Sequence, residues 1–529
     1  MSRLNRPLIA QCDPRPADPP ARAAGAAGTL RRGLCVALAA TLALTPPLGA
    51  FAADPKAASF SSSLPNLGDS SSDDLSPLAE RRLGEDIMRQ IRAASDDLDD
   101  AETVEYLNQF AAALTSLAPP GSPSFEFFAV KDPSINAFAL PGGFIGVHTG
   151  LLLASQSESE LASVLGHEMG HVTQRHIARS ISSQRESSLI TLGALALAIL
   201  AARSGNAQVM QAATAGGIGF SIQNQLSFSR DAEREADRVG LQFLQDSGFD
   251  VNGMVDFFGR LQNASRYYER AAPAYVRTHP LTTERIADIQ NRIRDVRYRQ
   301  RVDSPEFQLM RARIRVLQND SGQGLRDVRQ AFEEQLRSGQ NWSQPSAHYG
   351  LALVLQRQRD LTGARTELAT ARQLLPVRSP MIEKFGIELT QEAGDRVGAI
   401  GLARAARLAF PQSRMLAQAY AGALQFDNRH VDALAFLREQ ILLYRQEVML
   451  HVMMAKSYAA LRNDLLQHKS LAESYFLGGN LRAALNQLQL ARRAGGSDFY
   501  ESSQIDARTR EIQALIAERE KSAKDAGKR

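Results

Sequence analysis

Residues 157–180 read SESELASVLGHEMGHVTQRHIARS, and the interpretation of the whole chain starts from this stretch. Ser157, followed three residues later by Glu160, forms a capping box, which predicts that a helix begins here and continues to about Ser180. Four apolar residues of the stretch recur at helical spacing: Leu161, Val164, Leu165 and Val172. The stretch is therefore predicted to be an amphipathic helix with one face against a core.

Two histidines of this helix are spaced as metal ligands. His167 and His171 are four residues apart, so their imidazoles project from one face about one turn apart, which suits two nitrogen ligands on Zn²⁺. Glu168, next to a ligand, can reach a zinc-bound water and accept its proton as the water attacks a peptide carbonyl. The pattern therefore predicts a zinc peptidase with zinc-bound water as nucleophile and Glu168 as general base.

A second helix, predicted from Ser229 to Gln245, offers the carboxylates Glu233 and Asp237 at the same spacing of four. Taken alone, such a pair is more often a solvated acidic face beside arginines. Because two histidines leave a zinc site incomplete, Glu233 is the candidate third ligand, with a fourth position left open. Asp237 can orient a ligand histidine or assist the leaving amine. The same ligands also bind other divalent metals.

The segments around these helices indicate a mixed fold. Phe125–Val130 is strand-like, and Asn136–Val147 carries a Pro-Gly-Gly turn between two apolar runs, which predicts a hairpin. Leu189–Ala202 is almost wholly apolar and is either a helical hairpin packed on the core or a lid near the active site or a membrane surface. No apolar run after the N-terminal region reaches about 18 residues, so no spanning helix is expected.

The C-terminal half is predicted to be all helical, with an internal repeat of 34 to 35 residues. Small residues recur at this period: Ala364, Ala371 and Pro376, then Ala399, Ala406 and Pro411, then Ala433, and later Ala484 with Ala491. This pattern resembles tetratricopeptide (TPR) repeats, in which alanines permit close contact between paired helices. The clearest match is Leu471–Ala494, and an irregular helical bundle is the alternative.

The N-terminal region carries the basic excess of the chain. Residues 1–53 hold six arginines and two aspartates, so the remainder has equal numbers of basic and acidic residues and no nucleic-acid footprint. Arg31 and Arg32, the apolar run Leu34–Leu44 and the Ala50-Phe-Ala motif predict a secretory signal rather than a short buried helix. Both cysteines of the chain lie in this leader, so a mature chain has no thiol ligand and no disulfide.

These features predict a mostly helical α+β metallopeptidase domain with a small β-sheet, followed by an all-α TPR-like domain. Five segments are expected: a signal peptide (1–52), a flexible linker (53–77), the zinc metallopeptidase domain (78–300), the repeat domain (301–500) and a charged tail (501–529) that is a solvated helix or frays.

Three motifs together resemble the HExxH peptidases of the CAAX-prenyl-protease and HtpX type: HEMGH at 167–171, EREAD at 233–237 and NAFALPGG at 136–143. The resemblance covers about residues 80–295. It implies one Zn²⁺ per subunit, with Glu233 as the third ligand and Asp237 as a proton donor. It also implies that a strand edge pairs with the substrate backbone; its residues are Asn136, Ala137, Phe138 and Ala139.

His279, in Thr278-His279-Pro280, lies outside both motif helices. It matches a histidine that in this family can occupy the fourth zinc position, which would make the resting enzyme latent. It is equally compatible with a turn histidine that caps a helix beginning near Thr282. The histidines His176 and His148, like the four in the C-terminal half, are assigned no role.

With a signal peptide ahead and repeats behind, the layout resembles the periplasmic members of this family in Gram-negative bacteria. The resemblance implies an endopeptidase in quality control and assembly of outer-membrane β-barrel proteins. Its expected partners are unfolded or stalled outer-membrane polypeptides and, through the TPR-like domain, the barrel-assembly machinery, with peripheral rather than spanning membrane contact. The alternatives are a latent protease acting mainly as a TPR scaffold or chaperone, and a housekeeping protease whose repeats recruit substrate.

Overall fold

The computed structural model describes residues 75–93, 97–183, 228–267, 273–299, 301–339, 343–494 and 499–527. The expected signal peptide, the linker up to residue 74 and the apolar run Leu189–Ala202 lie outside these residues. Within the described part, no helix is both long and apolar enough to span a bilayer.

The first part of the chain is mixed. Its helices are α1 (Pro77–Ala93), α2 (Ala101–Thr115), α3 (Thr149–Ala154), α4 (Glu158–Thr173), α5 (His176–Ser183), α6 (Arg230–Asp246), α7 (Asn252–Tyr267), α8 (Ala274–Thr278) and α9 (Thr283–Ile293). Its strands are β1 (Glu126–Val130), β2 (Ala137–Ala139) and β3 (Phe144–His148).

The described residues from 305 onward form helices alone. They are α10 (Pro305–Leu317), α11 (Gly322–Arg337), α12 (Gln344–Arg357), α13 (Leu361–Leu374), α14 (Pro380–Glu392), α15 (Arg396–Ala409), α16 (Arg414–Phe426), α17 (His430–Leu443), α18 (Val448–Ala460), α19 (Asp464–Leu477), α20 (Leu481–Ala494) and α21 (Phe499–Gly527). The expected fold class, a small sheet among helices followed by an all-helical part, is confirmed.

The sheet has the strand order β1-β3-β2, with β1 parallel and β2 antiparallel to β3. The predicted hairpin is confirmed: Ala137 pairs with Val147 and Ala139 pairs with Ile145. Its turn depends on Gly142, which has a φ of +76° and leaves no room for a side chain, because a Cβ there would lie 2.5 Å from the Cα of Arg81. Among the described strands, β2 pairs on one side only and is an edge of the sheet.

The two motif helices, α4 and α6, cross at unusually short range. A Cβ added to Gly240 would lie 2.8 Å from the main-chain N of His167, and one added to Gly170 would lie 2.9 Å from the carbonyl oxygen of Ala236. Small residues on both helices therefore let the backbones approach closely. This contact brings the acidic residues of α6 under the histidines of α4.

The helix predicted to continue to Ser180 is interrupted, and that part of the prediction is wrong. Helix α4 ends at Thr173, Arg175 takes a φ of +52°, and α5 begins at His176. The Arg175 side chain explains the break, because its Nη2 donates to the carbonyl oxygen of Leu75 at 2.6 Å and lies 3.3 Å from Glu80 Oε1. Leu75 is buried, so the end of the expected linker is folded.

The repeat prediction is confirmed by the helix spacing. The helices that begin at Gln344, Pro380, Arg414 and Val448 are 34 to 36 residues apart, and the helix that begins at Leu481 packs on the preceding α19. The alanines that carried the sequence repeat are all buried at helix contacts: Ala364, Ala371, Ala399, Ala406, Ala433, Ala484 and Ala491. The pairing is regular well before Leu471, so the array does not form an irregular bundle.

The C-terminal tail differs from the expected solvated segment. It is helical, as expected, but Ile505 and Ile512 are buried against α20 and close the end of the array. A terminal repeat needs such a cover because its apolar face has no further neighbour.

The repeats pack directly on helix α2 of the mixed part. Arg313 of α10 lies 2.6 Å from Asp100 and 3.1 Å from Glu102, and Lys384 of α14 lies 2.7 Å from Glu102. These charges are largely buried, so each one depends on its partners. The boundary at residue 300 stays a prediction, because α10 contacts both α2 and α12.

Candidate metal centre

Four buried side chains from three parts of the chain converge on one point. They are His167 and His171 of α4, Glu233 of α6 and His279, which follows α8. One donor atom from each lies within 4.8 Å of the others. Within the described residues, no other group of histidines, cysteines and carboxylates meets this geometry.

The contacts identify the converging atoms. His171 Nε2 lies 3.0 Å from His167 Nε2, and His279 Nδ1 lies 2.9 Å from Glu233 Oε1 and 3.4 Å from His167 Nε2. Two imidazole lone pairs this close repel each other unless a proton or a cation lies between them. Three imidazole nitrogens and a carboxylate oxygen form a donor set that suits zinc.

The charges around the cluster also favour a cation. Burial lowers the pKa of His167, but the contacts with Asp237 and Glu233 outweigh it and raise the pKa to about 9. The same carboxylates therefore stabilise positive charge at the point where the donors meet. The residues present fit a zinc ion on both donor type and charge.

Glu168 lies beside the cluster without joining it. Its side chain is fully buried, its Oε1 is 3.5 Å from His279 Nε2, and neither oxygen makes a well-aligned hydrogen bond to a described residue. Burial raises the pKa of Glu168, whereas the neighbouring rings of His279 and His167 act to lower it. A buried carboxylate with unused oxygens is suited to accept a proton.

Asp237 contacts the ring nitrogen of His167 that points away from the cluster. Its Oδ1 lies 2.9 Å from His167 Nδ1, and Arg285 donates to both of its oxygens at 2.7 Å. Burial raises the pKa of Asp237, but hydrogen bonds from Arg285 and His167 dominate and lower it. Of the two roles considered for Asp237, this geometry favours orientation of a ligand histidine over protonation of the leaving amine.

Sequence reasoning missed Arg285. It comes from α9, is buried, and also lies 2.7 Å from Glu233 Oε2. It therefore joins a candidate ligand, Glu233, to the residue that supports another, Asp237. Nothing distinguishes it in the sequence from the many other arginines of the chain, so only the packing of α9 against α6 reveals it.

His176, to which the sequence assigned no role, contacts a ligand. Its Nδ1 lies 2.8 Å from His171 Nδ1, and its Nε2 lies 3.0 Å from Glu235 Oε2. Burial lowers the pKa of His176, although its hydrogen bond to Glu235 acts in the opposite direction. Glu235, two residues after the candidate ligand Glu233, is partly exposed and lies outside the cluster. The Phe228 ring stacks on the His171 ring, with 3.9 Å between their centroids.

His279 does not cap the helix that follows it. The side chain of Thr282 accepts a hydrogen bond from the main-chain N–H of Arg285 and caps α9. The His279 ring instead turns inward, stacked on Tyr275 at 4.7 Å between centroids, and contributes a donor to the cluster. The turn-histidine alternative is therefore wrong.

The edge strand β2 runs beside α4. Strand β2 packs against α4, and the main-chain N–H of Ala139 lies close enough to Glu168 to favour its charged form. The preceding Asn136 is buried, with a side-chain oxygen that makes no hydrogen bond to a described residue. The edge of the sheet that β2 forms among the described strands is thus next to the general-base candidate.

Comparisons with known proteins find a peptidase family over the same part of the chain. The model for "Peptidase family M48" matches residues 100–293, a range that contains every candidate ligand. The chain is 31% identical over 481 residues to the beta-barrel assembly-enhancing protease of Escherichia coli K12, covering 90% of this chain and 96% of the relative. It is 38% identical over 295 residues to a putative beta-barrel assembly-enhancing protease of Vibrio cholerae, covering 55% and 59%. It is 28% identical over 214 residues to the mitochondrial metalloendopeptidase OMA1 of Schizosaccharomyces pombe, covering 40% and 60%.

Proposed function

Because the chain belongs to peptidase family M48 and is a zinc metalloprotease, we propose that it is a periplasmic endopeptidase in the assembly and quality control of outer-membrane β-barrel proteins. The observation that carries the chemistry is the convergence of His167, His171 and Glu233, with Glu168 beside them. His167, His171 and Glu233 would hold one Zn²⁺ per subunit.

Different residues of the chain have different roles in peptide hydrolysis. A bound zinc ion supplies Lewis-acid activation of water and of the scissile carbonyl. Glu168 accepts the proton of the attacking water, and because its oxygens are buried and unused, this transfer needs no prior desolvation of the base. Asp237 and Arg285 hold His167 in place, so Asp237 acts on the ligand rather than on the leaving amine.

The substrate backbone is proposed to add to the edge of β2 that no described strand covers, along Asn136, Ala137, Phe138 and Ala139. Main-chain hydrogen bonds at a sheet edge recognise an extended backbone and depend little on the side chains of the bound peptide. An unfolded chain offers such a segment, whereas a folded protein rarely does. Because β2 packs against α4, a peptide bound there would pass next to Glu168.

Location and partners rest on the relatives. Relatives similar over nearly their whole length are named for β-barrel assembly, which supports a periplasmic location and unfolded or stalled outer-membrane polypeptides as substrates. The TPR-like array is proposed to contact the barrel-assembly machinery, since helical-repeat arrays present extended binding surfaces.

One observation favours a second candidate, a latent protease that works mainly as a scaffold or chaperone. His279 supplies a fourth donor to the cluster, with its Nδ1 2.9 Å from Glu233 Oε1. Hydrolytic zinc needs an open position for water, so cleavage requires that His279 withdraw. In cells, a scaffold predicts that Glu168→Gln leaves outer-membrane protein assembly unchanged, whereas a working protease predicts that it fails.

The decisive experiment compares the chain from Asp54 onward with its Glu168→Gln variant for metal content and casein cleavage. About one zinc in both, with cleavage only in the parent, is the expected result. Zinc in both without cleavage in either would favour the latent scaffold. No metal in either protein would contradict the proposal.

A further inference from the structure

The break between α4 and α5 places His176 against His171. Side chains five residues apart on a continuous helix point about 140° away from each other, so these two rings could not meet. The positive φ of Arg175 reverses the chain between them. That conformation is uncommon for a residue with a side chain, and the contacts of Arg175 with Leu75 and Glu80 hold it.

The two rings meet through specific atoms. His171 directs Nε2 into the cluster, 3.0 Å from His167 Nε2, and directs Nδ1 away from it, 2.8 Å from His176 Nδ1. A neutral imidazole that gives its Nε2 lone pair to a metal carries its proton on Nδ1. His171 then donates from Nδ1, and His176 must accept at its own Nδ1.

This assignment fixes the tautomer of the second ring. With Nδ1 acting as acceptor, the proton of His176 is on Nε2, which lies 3.0 Å from Glu235 Oε2. Glu235 is itself held by Arg179, whose Nη2 donates at 2.6 Å. The side chain of His176 is 1% exposed and that of Glu235 is 39% exposed, so the chain of hydrogen bonds leads from the buried cluster to the surface.

The arrangement parallels the support of the other ligand histidine. His167 directs Nδ1 toward Asp237, which Arg285 holds. His171 reaches its carboxylate through one additional ring and ends on Glu235 and Arg179. Partners of this kind fix the orientation and the tautomer of a ligand and raise its basicity.

We propose that His176 is a positioning residue for the metal ligand His171. Its Nδ1 accepts a hydrogen bond from His171 Nδ1, and its Nε2 donates a hydrogen bond to Glu235. This inference rests on the proposed metallopeptidase function. His176 does not touch the substrate or the metal. Its contribution is to hold the His171 ring with Nε2 facing the cluster, which strengthens metal binding.

The test measures zinc affinity, by competition with a chromophoric chelator, on the full chain and two variants at this position. His176→Leu removes the acceptor and is expected to weaken zinc binding by about 10- to 100-fold. His176→Asn places an amide oxygen close to the position of Nδ1, and is expected to restore most of the affinity. The Co²⁺-substituted proteins should show an altered visible spectrum for His176→Leu and a near-parental spectrum for His176→Asn.

A control variant separates this effect from the loss of any histidine that pairs with a carboxylate. His348 also pairs with a carboxylate, Glu367 Oε2 at 2.6 Å, but it belongs to α12, away from the cluster. His348→Leu should leave zinc affinity and the Co²⁺ spectrum unchanged. Parental affinity and spectrum in His176→Leu would overturn the inference, as would an equal loss in a folded His176→Asn. A parent that binds no zinc would instead overturn the proposed function.

Discussion

Gly240 of α6 lies so close to His167 of α4 that a Cβ built on Gly240 would be 2.8 Å from the main-chain N of His167. The metal centre depends on this approach, because α4 supplies two candidate ligands and α6 supplies the third. A larger residue at the crossing must move one helix, and with it the donor atoms.

Gly240→Ala is therefore expected to weaken both the fold and the site. The added methyl group overpacks a backbone contact, which should reduce the free energy of unfolding by about 1–3 kcal/mol and lower the zinc content. Urea unfolding and metal analysis check this. Gly259, in α7, is the matched control: a Cβ there meets nothing within 4 Å, so Gly259→Ala should stabilise by about 0.5–1 kcal/mol. Equal behaviour of the two variants would refute the crossing argument.

Glu233→Gln should lower both zinc retention and casein cleavage. The amide keeps one oxygen but loses the charge, so zinc affinity is expected to fall by at least about tenfold. Glu235→Gln, two residues away on the same helix, should have a smaller effect because Glu235 lies outside the cluster and acts through His176. Chelator competition ranks the two variants. A larger loss in Glu235→Gln would transfer the third ligand to Glu235.

His279→Ala should raise basal cleavage of casein if His279 closes the fourth position. Three donors from His167, His171 and Glu233 remain to hold the metal, so zinc should be retained while a position opens for water. The measurement is the initial rate of cleavage at equal zinc loading. An unchanged or lower rate in a zinc-loaded variant would show that His279 does not restrain the enzyme.

Arg285→Met should destabilise the protein strongly. It leaves the carboxylates of Glu233 and Asp237, each 2.7 Å from the guanidinium, buried without their partner. Loss of one member of a buried ion pair costs about 3–5 kcal/mol, which urea unfolding of the metal-free protein measures. In Arg285→Met with Asp237→Asn, part of this loss should be recovered.

The control for that prediction is an exposed pair between the same two helices, α6 and α9. Arg234 lies 3.1 Å from Glu284, and both side chains are solvent-accessible. Arg234→Met should cost at most about 1 kcal/mol. A loss as large as that of Arg285→Met would mean that burial is not what makes Arg285 important.

Local sequence patterns were sufficient for the elements that carry the ligands. The cap at Ser157 and the spacing of His167 and His171 predicted the first helix, and the Ser157 side chain caps it as expected. The second helix was predicted from Ser229, and in the structure this residue caps it. The Pro-Gly-Gly turn predicted the hairpin, and the alanine period predicted the paired helices of the array. Each of these signals involves residues close together in the chain, or a repeat of one local pattern.

The residues that hold the ligands in place were beyond such reasoning. Arg285 meets Asp237 across 48 residues, and His176 meets Glu235 across 59. The break at Arg175 depends on the carbonyl oxygen of Leu75, a hundred residues earlier in the chain. The sequence by itself determined where the two motif helices begin and which side chains can bind zinc, because periodicity and capping are local. Only the tertiary structure decided which buried charges and rings support those ligands, because their partners become neighbours through packing alone.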